Sequence, residues 1–97
     1  RKNSKTYGQH FTTELSGENK KQVFIPRGFA HGFLVLSDSA IFAYKVDNTF
    51  APEHDAGIRW NDPIVNIQWG LSESEVLVSK KDAQLPFFTE FDSPFTI

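Results

Sequence analysis

Apolar and polar residues alternate with a period of two over much of the chain, the spacing of a strand with one buried face. Residues 9–15, QHFTTEL, put Phe11, Thr13 and Leu15 on one side. Residues 21–25 form a second short β-type segment, ended by Pro26 and Gly28. The strongest signal is the pair 31–36 and 40–46, separated by Ser37, Asp38 and Ser39. With Asp38-Ser39 as a two-residue turn, Ser37 opposes Ala40, Phe33 opposes Tyr44 and Val35 opposes Phe42. That register gathers His31, Phe33, Val35, Phe42, Tyr44 and Val46 on one face, so His31 and Tyr44 are expected to look into the same interior.

Beyond Val46 the alternation loosens. DNTFAP, residues 47–52, reads as a loop, and short strands are predicted around 57–60 and 66–69 with Asn61-Asp62-Pro63 as a turn between them. Val76, Leu77 and Val78 lead into SKKDAQLP, where Ser79 is placed to cap a single helical turn. The tail, 87–97, carries Phe87, Phe88, Phe91 and Phe95 without a clear period. No repeat, linker or low-complexity tract divides residues 1–97. Many short strands with turns between them predict the all-β class, as a sandwich or barrel of the jelly-roll kind. These strands are fewer than the eight or so that a jelly roll uses. RKNSKTYG reads as the end of a strand running into a loop. The expectation is therefore the carboxy-terminal half of one larger domain, with a short helical turn near its end.

Composition adds limits. The 97 residues are 39% hydrophobic, 23% charged and 14% aromatic, and ten Phe favour strands over helices. No apolar run approaches the roughly 18 residues of a spanning helix, so no membrane segment is expected. No charged-then-apolar leader is seen at the start either. A net charge of −2 argues against non-specific nucleic-acid binding. Residues 1–27 hold six basic and two acidic side chains and the remainder four and ten, a pattern that solvated strands and loops explain. The absence of cysteine excludes disulfides, thiolate zinc sites and a cysteine nucleophile, and fits a cytoplasmic location.

Three residues carry candidate chemistry. His31 lies in IPRGFAHGF among apolar neighbours, either as a hydrogen-bonded core histidine or as a functional one. The other histidines, His10 and His54, make no ligand-spaced pair with it, so no metal site is expected. Tyr44 is either a half-buried strand aromatic or a general acid, since a phenol can protonate a carbanion or enolate. Asp82 is either a solvated loop carboxylate or one that orients a histidine, as in triad logic. Phe50, Trp60 and Trp69 read as packing residues. No phosphate-cradling glycine loop or Gly-x-Ser-x-Gly elbow is present.

Pro26-x-Gly28-x-x-His31 has the form of a cupin-superfamily motif. The longer string IPRGFAHGFLVLSDSAIFAYKVDNTFAPEHDAGIRWNDP, with Ser79-x-Lys81-Asp82 further on, resembles the dTDP-4-dehydrorhamnose 3,5-epimerase family. The likeness runs up to about Pro86 and includes Tyr44-Lys45, Ala51-Pro52-Glu53-His54 and residues 57–63.

The resemblance implies a cupin-type jelly roll that forms a homodimer and works without a cofactor. It would epimerise dTDP-4-dehydro-6-deoxy-D-glucose at C3 and C5, on the way to dTDP-L-rhamnose. Tyr44 matches the family's acid, Asp82 its base-orienting aspartate, and His31 a second active-site histidine that stabilises the enolate oxygen. Phe50 and Lys81 fall at substrate-binding positions, with Phe50 where many relatives carry a tyrosine near the nucleotide. The family's base histidine, enolate-stabilising lysine and nucleotide-binding arginines belong to an amino-terminal half, so none of His10, His31 and His54 is assigned as base. On this basis the 97 residues alone are expected to be inactive. A 3- or 5-epimerase acting on another dTDP-keto sugar, and a non-catalytic sugar-nucleotide-binding cupin, remain as alternatives.

Overall fold

Regular secondary structure is sparse and local. The computed structural model describes residues 1–97, with 3-10 turns at Pro52–His54, Glu73–Glu75 and Phe88–Glu90 and one α-helix, α1, at Lys80–Ala83. Helix α1 forms where Ser79 predicts it: the Ser79 hydroxyl accepts the Asp82 N–H at 3.1 Å. Pro52 opens the first 3-10 turn, where its fixed φ suits a helical start.

The predicted hairpin is realised in its side chains and not in its backbone. Phe33 and Phe42 stack at 4.2 Å between ring centroids, and Tyr44 lies 5.0 Å from Phe42, so three residues of the expected face converge. No backbone hydrogen bond joins 31–36 to 40–46, and the bend between them is closed by the Ser37 hydroxyl donating to the Ser39 carbonyl at 2.7 Å. Segments 9–15 and 21–25 form no ladder either. A ladder needs a second backbone about 4.8 Å away along its whole length, and an isolated two-stranded pair is marginal in water. Aromatic stacking draws the rings together while the backbone polar groups stay with solvent.

Two regions are tied more firmly. The ends of the chain meet in a parallel bridge between Lys2 and Thr96. Lys2 N–H donates to Phe95 at 2.8 Å and Ile97 N–H to Lys2 at 3.2 Å, with an ion pair from Lys2 to Asp92. Tyr7 packs on Phe88 beside this bridge, 5.0 Å between centroids. In the second region, residues 57–69 lie against 85–88. The expected turn at Asn61-Asp62-Pro63 is present, but turns and irregular backbone replace the strands expected on either side of it. Asn66 N–H donates to the Asp62 carbonyl at 2.9 Å, and Asn66 ends this turn at φ 51°, a conformation asparagine tolerates.

Only Asp62 and Ser93 are buried, and no apolar side chain is. Phe11, Phe24, Ile41, Phe50 and Leu77 stand almost wholly in solvent. No helix is long and apolar enough to cross a membrane.

Candidate active site

Tyr44 and Phe50 line one cleft of about 360 Å³, together with Asn48, Thr49 and Asp55. The loop after Val46 is turned by the 3-10 helix at Pro52–His54, in which His54 N–H reaches the Ala51 carbonyl at 3.0 Å and Asp55 N–H reaches Pro52 at 3.2 Å. That turn brings Asp55 to the cleft, where its carboxylate pairs with the Lys81 ammonium of α1. The structure therefore assembles Tyr44 and Phe50 directly, and Lys81 through Asp55. The hydrogen bond that the Lys81 ammonium donates to Asp55, and then the charge of that carboxylate, hold it above the ordinary lysine value. Both partners are substantially exposed, so solvent screens the pair.

Three expectations differ from the structure: a shared interior for His31 and Tyr44, a half-buried Tyr44 and a packing role for Phe50. His31 is exposed and does not line the cleft, so it shares no enclosed interior with Tyr44. The register that would turn it inward needs a backbone ladder that is not formed. Tyr44 is 70% exposed, not half-buried, and Phe50 at 90% exposure is not a packing residue. Asp82 is exposed on α1, as its solvated alternative has it, and its backbone N–H completes the Ser79 cap.

Sequence reasoning passed over Asp55, Arg59 and Asp62 as individual residues. Asp62 is 3% exposed and holds three backbone donors. One carboxylate oxygen accepts Ile64 N–H at 2.9 Å and Val65 N–H at 2.8 Å; the other accepts Phe88 N–H at 2.7 Å. Burial by itself would raise this carboxyl, but the hydrogen bonds from Phe88, Val65 and Ile64 hold it below the ordinary 3.8. An aspartate just ahead of a proline is a local signal for the cap; nothing local signals the bond to Phe88. Trp69, read from the sequence as a packing residue, donates from its indole to the Trp60 carbonyl at 2.8 Å.

Comparison with known proteins identifies the family. The model of the dTDP-4-dehydrorhamnose 3,5-epimerase family matches residues 1–90. The chain belongs to this family. A dTDP-4-dehydrorhamnose 3,5-epimerase of Pseudomonas aeruginosa is 49% identical over 92 residues, 95% of this chain and 50% of that protein. One from Methanothermobacter thermautotrophicus is 49% identical over 83 residues, 84% of this chain and 45% of its own length. A more distant one, from Mycobacterium tuberculosis, is 28% identical over 91 residues. The chain thus spans about half the length of the curated relatives it matches. No solved structure matches it.

Proposed function

We propose that the protein epimerises dTDP-4-dehydro-6-deoxy-D-glucose at C3 and C5, giving dTDP-4-dehydro-L-rhamnose. The C4 ketone acidifies the hydrogens on both C3 and C5, each α to it, because either carbanion is stabilised as an enolate on the C4 oxygen. A base removes each proton, and an acid returns one on the opposite face. No electron is gained or lost overall, so the reaction requires no redox cofactor. The observation that carries this reading is the grouping of Tyr44, Phe50 and the Asp55–Lys81 pair at one cleft, in a chain that the family matches over residues 1–90.

Tyr44 is the proton donor in this reading. Phe50 offers a flat apolar face on which the thymine can stack, and Lys81 a compact positive charge for the substrate's polar groups. His31 hydrogen-bonds the enolate oxygen and Asp82 orients the base; both roles rest on their motif positions. The base itself is not one of this chain's three histidines.

The architecture we propose is a cupin-type jelly roll, all-β in class, that assembles as a homodimer in the cytoplasm. The uncovered aromatic face and the absence of any buried apolar side chain support it, since further strands would supply both the ladders and the cover. The test is to incubate the full-length protein, since the 97 residues alone are expected to be inactive, with dTDP-4-dehydro-6-deoxy-D-glucose and read the configuration at C3 and C5 by NMR. Inversion at both carbons is expected. Inversion at one alone would make it a single-centre epimerase, and no inversion would overturn the reading.

A further inference from the structure

Residues 57–63, GIRWNDP, take no part in the cleft, yet Arg59 and Asp62 among them hold a network of polar contacts to residues 85–88. Arg59 donates from its backbone N–H to the Pro86 carbonyl at 2.9 Å and from Nε to the Leu85 carbonyl at 2.9 Å. Its guanidinium lies 4.3 Å from the centroid of the Phe87 ring. Asp62 accepts the Phe88 N–H at 2.7 Å. Four successive residues, 85 to 88, are thus each held by Arg59 or Asp62.

The contacts share a register. Asp55 to Lys81, Arg59 to Leu85 and Asp62 to Phe88 each span 26 residues, so 55–62 and 81–88 run side by side in the same direction. Gly57 fits the same seam, because a Cβ there would come within 3.0 Å of the Leu85 side chain. Helix α1 ends three residues into the second segment, and its last turn continues into the clamped stretch. Gln84 N–H donates to Lys81 at 3.1 Å and Leu85 N–H to Asp82 at 3.3 Å. A helix of four residues does not hold itself in water. Its placement comes from what is tied at either end.

We propose that Arg59 and Asp62 are positioning residues, clamping residues 85–88 and thereby setting where α1 presents Lys81 to Asp55 at the cleft. The inference rests on the functional reading above only in treating Lys81 as a site residue; the clamp itself is independent of it. A slip at the Asp62–Phe88 end is carried along the common register to the Asp55–Lys81 end, because one short turn joins them.

Asp62→Asn tests this in the full-length protein. The carboxamide keeps one acceptor for the Ile64 and Val65 N–H groups but turns an NH2 group toward Phe88 N–H, so the cap survives and the clamp does not. NMR without substrate reads the outcome. The Phe88 amide is expected to exchange roughly tenfold faster or more, the Ala83 and Gln84 amides to lose protection with it, and the Lys81 ammonium to titrate closer to an ordinary lysine. Arg59→Lys, which leaves Asp62 untouched but loses the Nε bond to Leu85 and the flat contact with Phe87, is expected to move Lys81 the same way. Release of Phe88 with α1 and Lys81 unchanged would overturn the proposal. Global unfolding of both variants would do so too, by reducing the pair to general structural ties. These readouts need no turnover, so failure of the epimerase reading would leave them intact.

Discussion

Replacing Asp62 with alanine removes three hydrogen bonds at once, and the loss can be estimated from the geometry. The bonds to Ile64 and Val65 form a turn cap, whose removal costs about 1 kcal/mol. The bond to Phe88 is charge-assisted and formed by a buried carboxylate, worth about 1.5–3 kcal/mol. Together these give roughly 2.5–4 kcal/mol, a large share of the ~5–15 kcal/mol by which domains are stable. Urea unfolding followed by tryptophan emission suits the question, since Trp60 and Trp69 flank the turn. With a slope of about 1–3 kcal/mol per molar, the midpoint should fall by roughly 1–4 M. Asp62→Asn should lose only the roughly 1.5–3 kcal/mol of the Phe88 bond, because it keeps the cap. The pH dependence has a definite sign. The folded carboxyl lies below its ordinary 3.8, so its stabilisation is full well above that value and is lost as pH falls through the lower, folded one. The gap between the parent and Asp62→Ala should be flat at neutral pH and close in acid. An unchanged midpoint, or a gap that widens in acid, would refute the reasoning.

Phe50→Ala should raise KM by roughly tenfold or more with kcat less affected, since base stacking on an aromatic is worth about 1–3 kcal/mol; steady-state kinetics decide it, with Phe50→Tyr expected near the parent. Asp55→Asn should return the Lys81 ammonium toward its ordinary 10.5, as read by titration of its side-chain resonances. Because Lys81 is raised in the folded state, whatever the pair contributes is present below 10.5 and lost as pH rises through the folded value. Tyr44→Phe should lower kcat by about 10²–10⁴ with KM nearly unchanged, as expected for loss of a general acid.

What could be read from the sequence was local. Ser79 and the Asn61-Asp62-Pro63 turn are decided within three or four residues, and both occur as expected. The period-two pattern also placed Phe33, Phe42 and Tyr44 on a common face, and their rings meet. Pattern alone could not say whether the backbones would pair, because pairing depends on neighbours far along the chain. The exposure of His31 follows from the same missing ladder. The register of 26 residues between 55–62 and 81–88 was invisible for a different reason: it joins a carboxylate or guanidinium to backbone groups, which carry no sequence signature. Tyr44 was a candidate from the strand register, Phe50 and Lys81 came as site residues from the family resemblance, and the cleft adds Asp55 as the residue that links them.

The central claim is that the protein labilises the hydrogens flanking the C4 ketone of a dTDP-sugar and returns them from Tyr44. The most direct measurement is NMR of dTDP-4-dehydro-6-deoxy-D-glucose in heavy water with the full-length protein and with Tyr44→Phe. The parent is predicted to place deuterium at C3 and C5 with inversion. Tyr44→Phe is predicted to keep exchange while inversion is lost at the carbon that Tyr44 protonates. No deuterium at either carbon with the folded parent protein, or inversion unaffected in Tyr44→Phe, would contradict it.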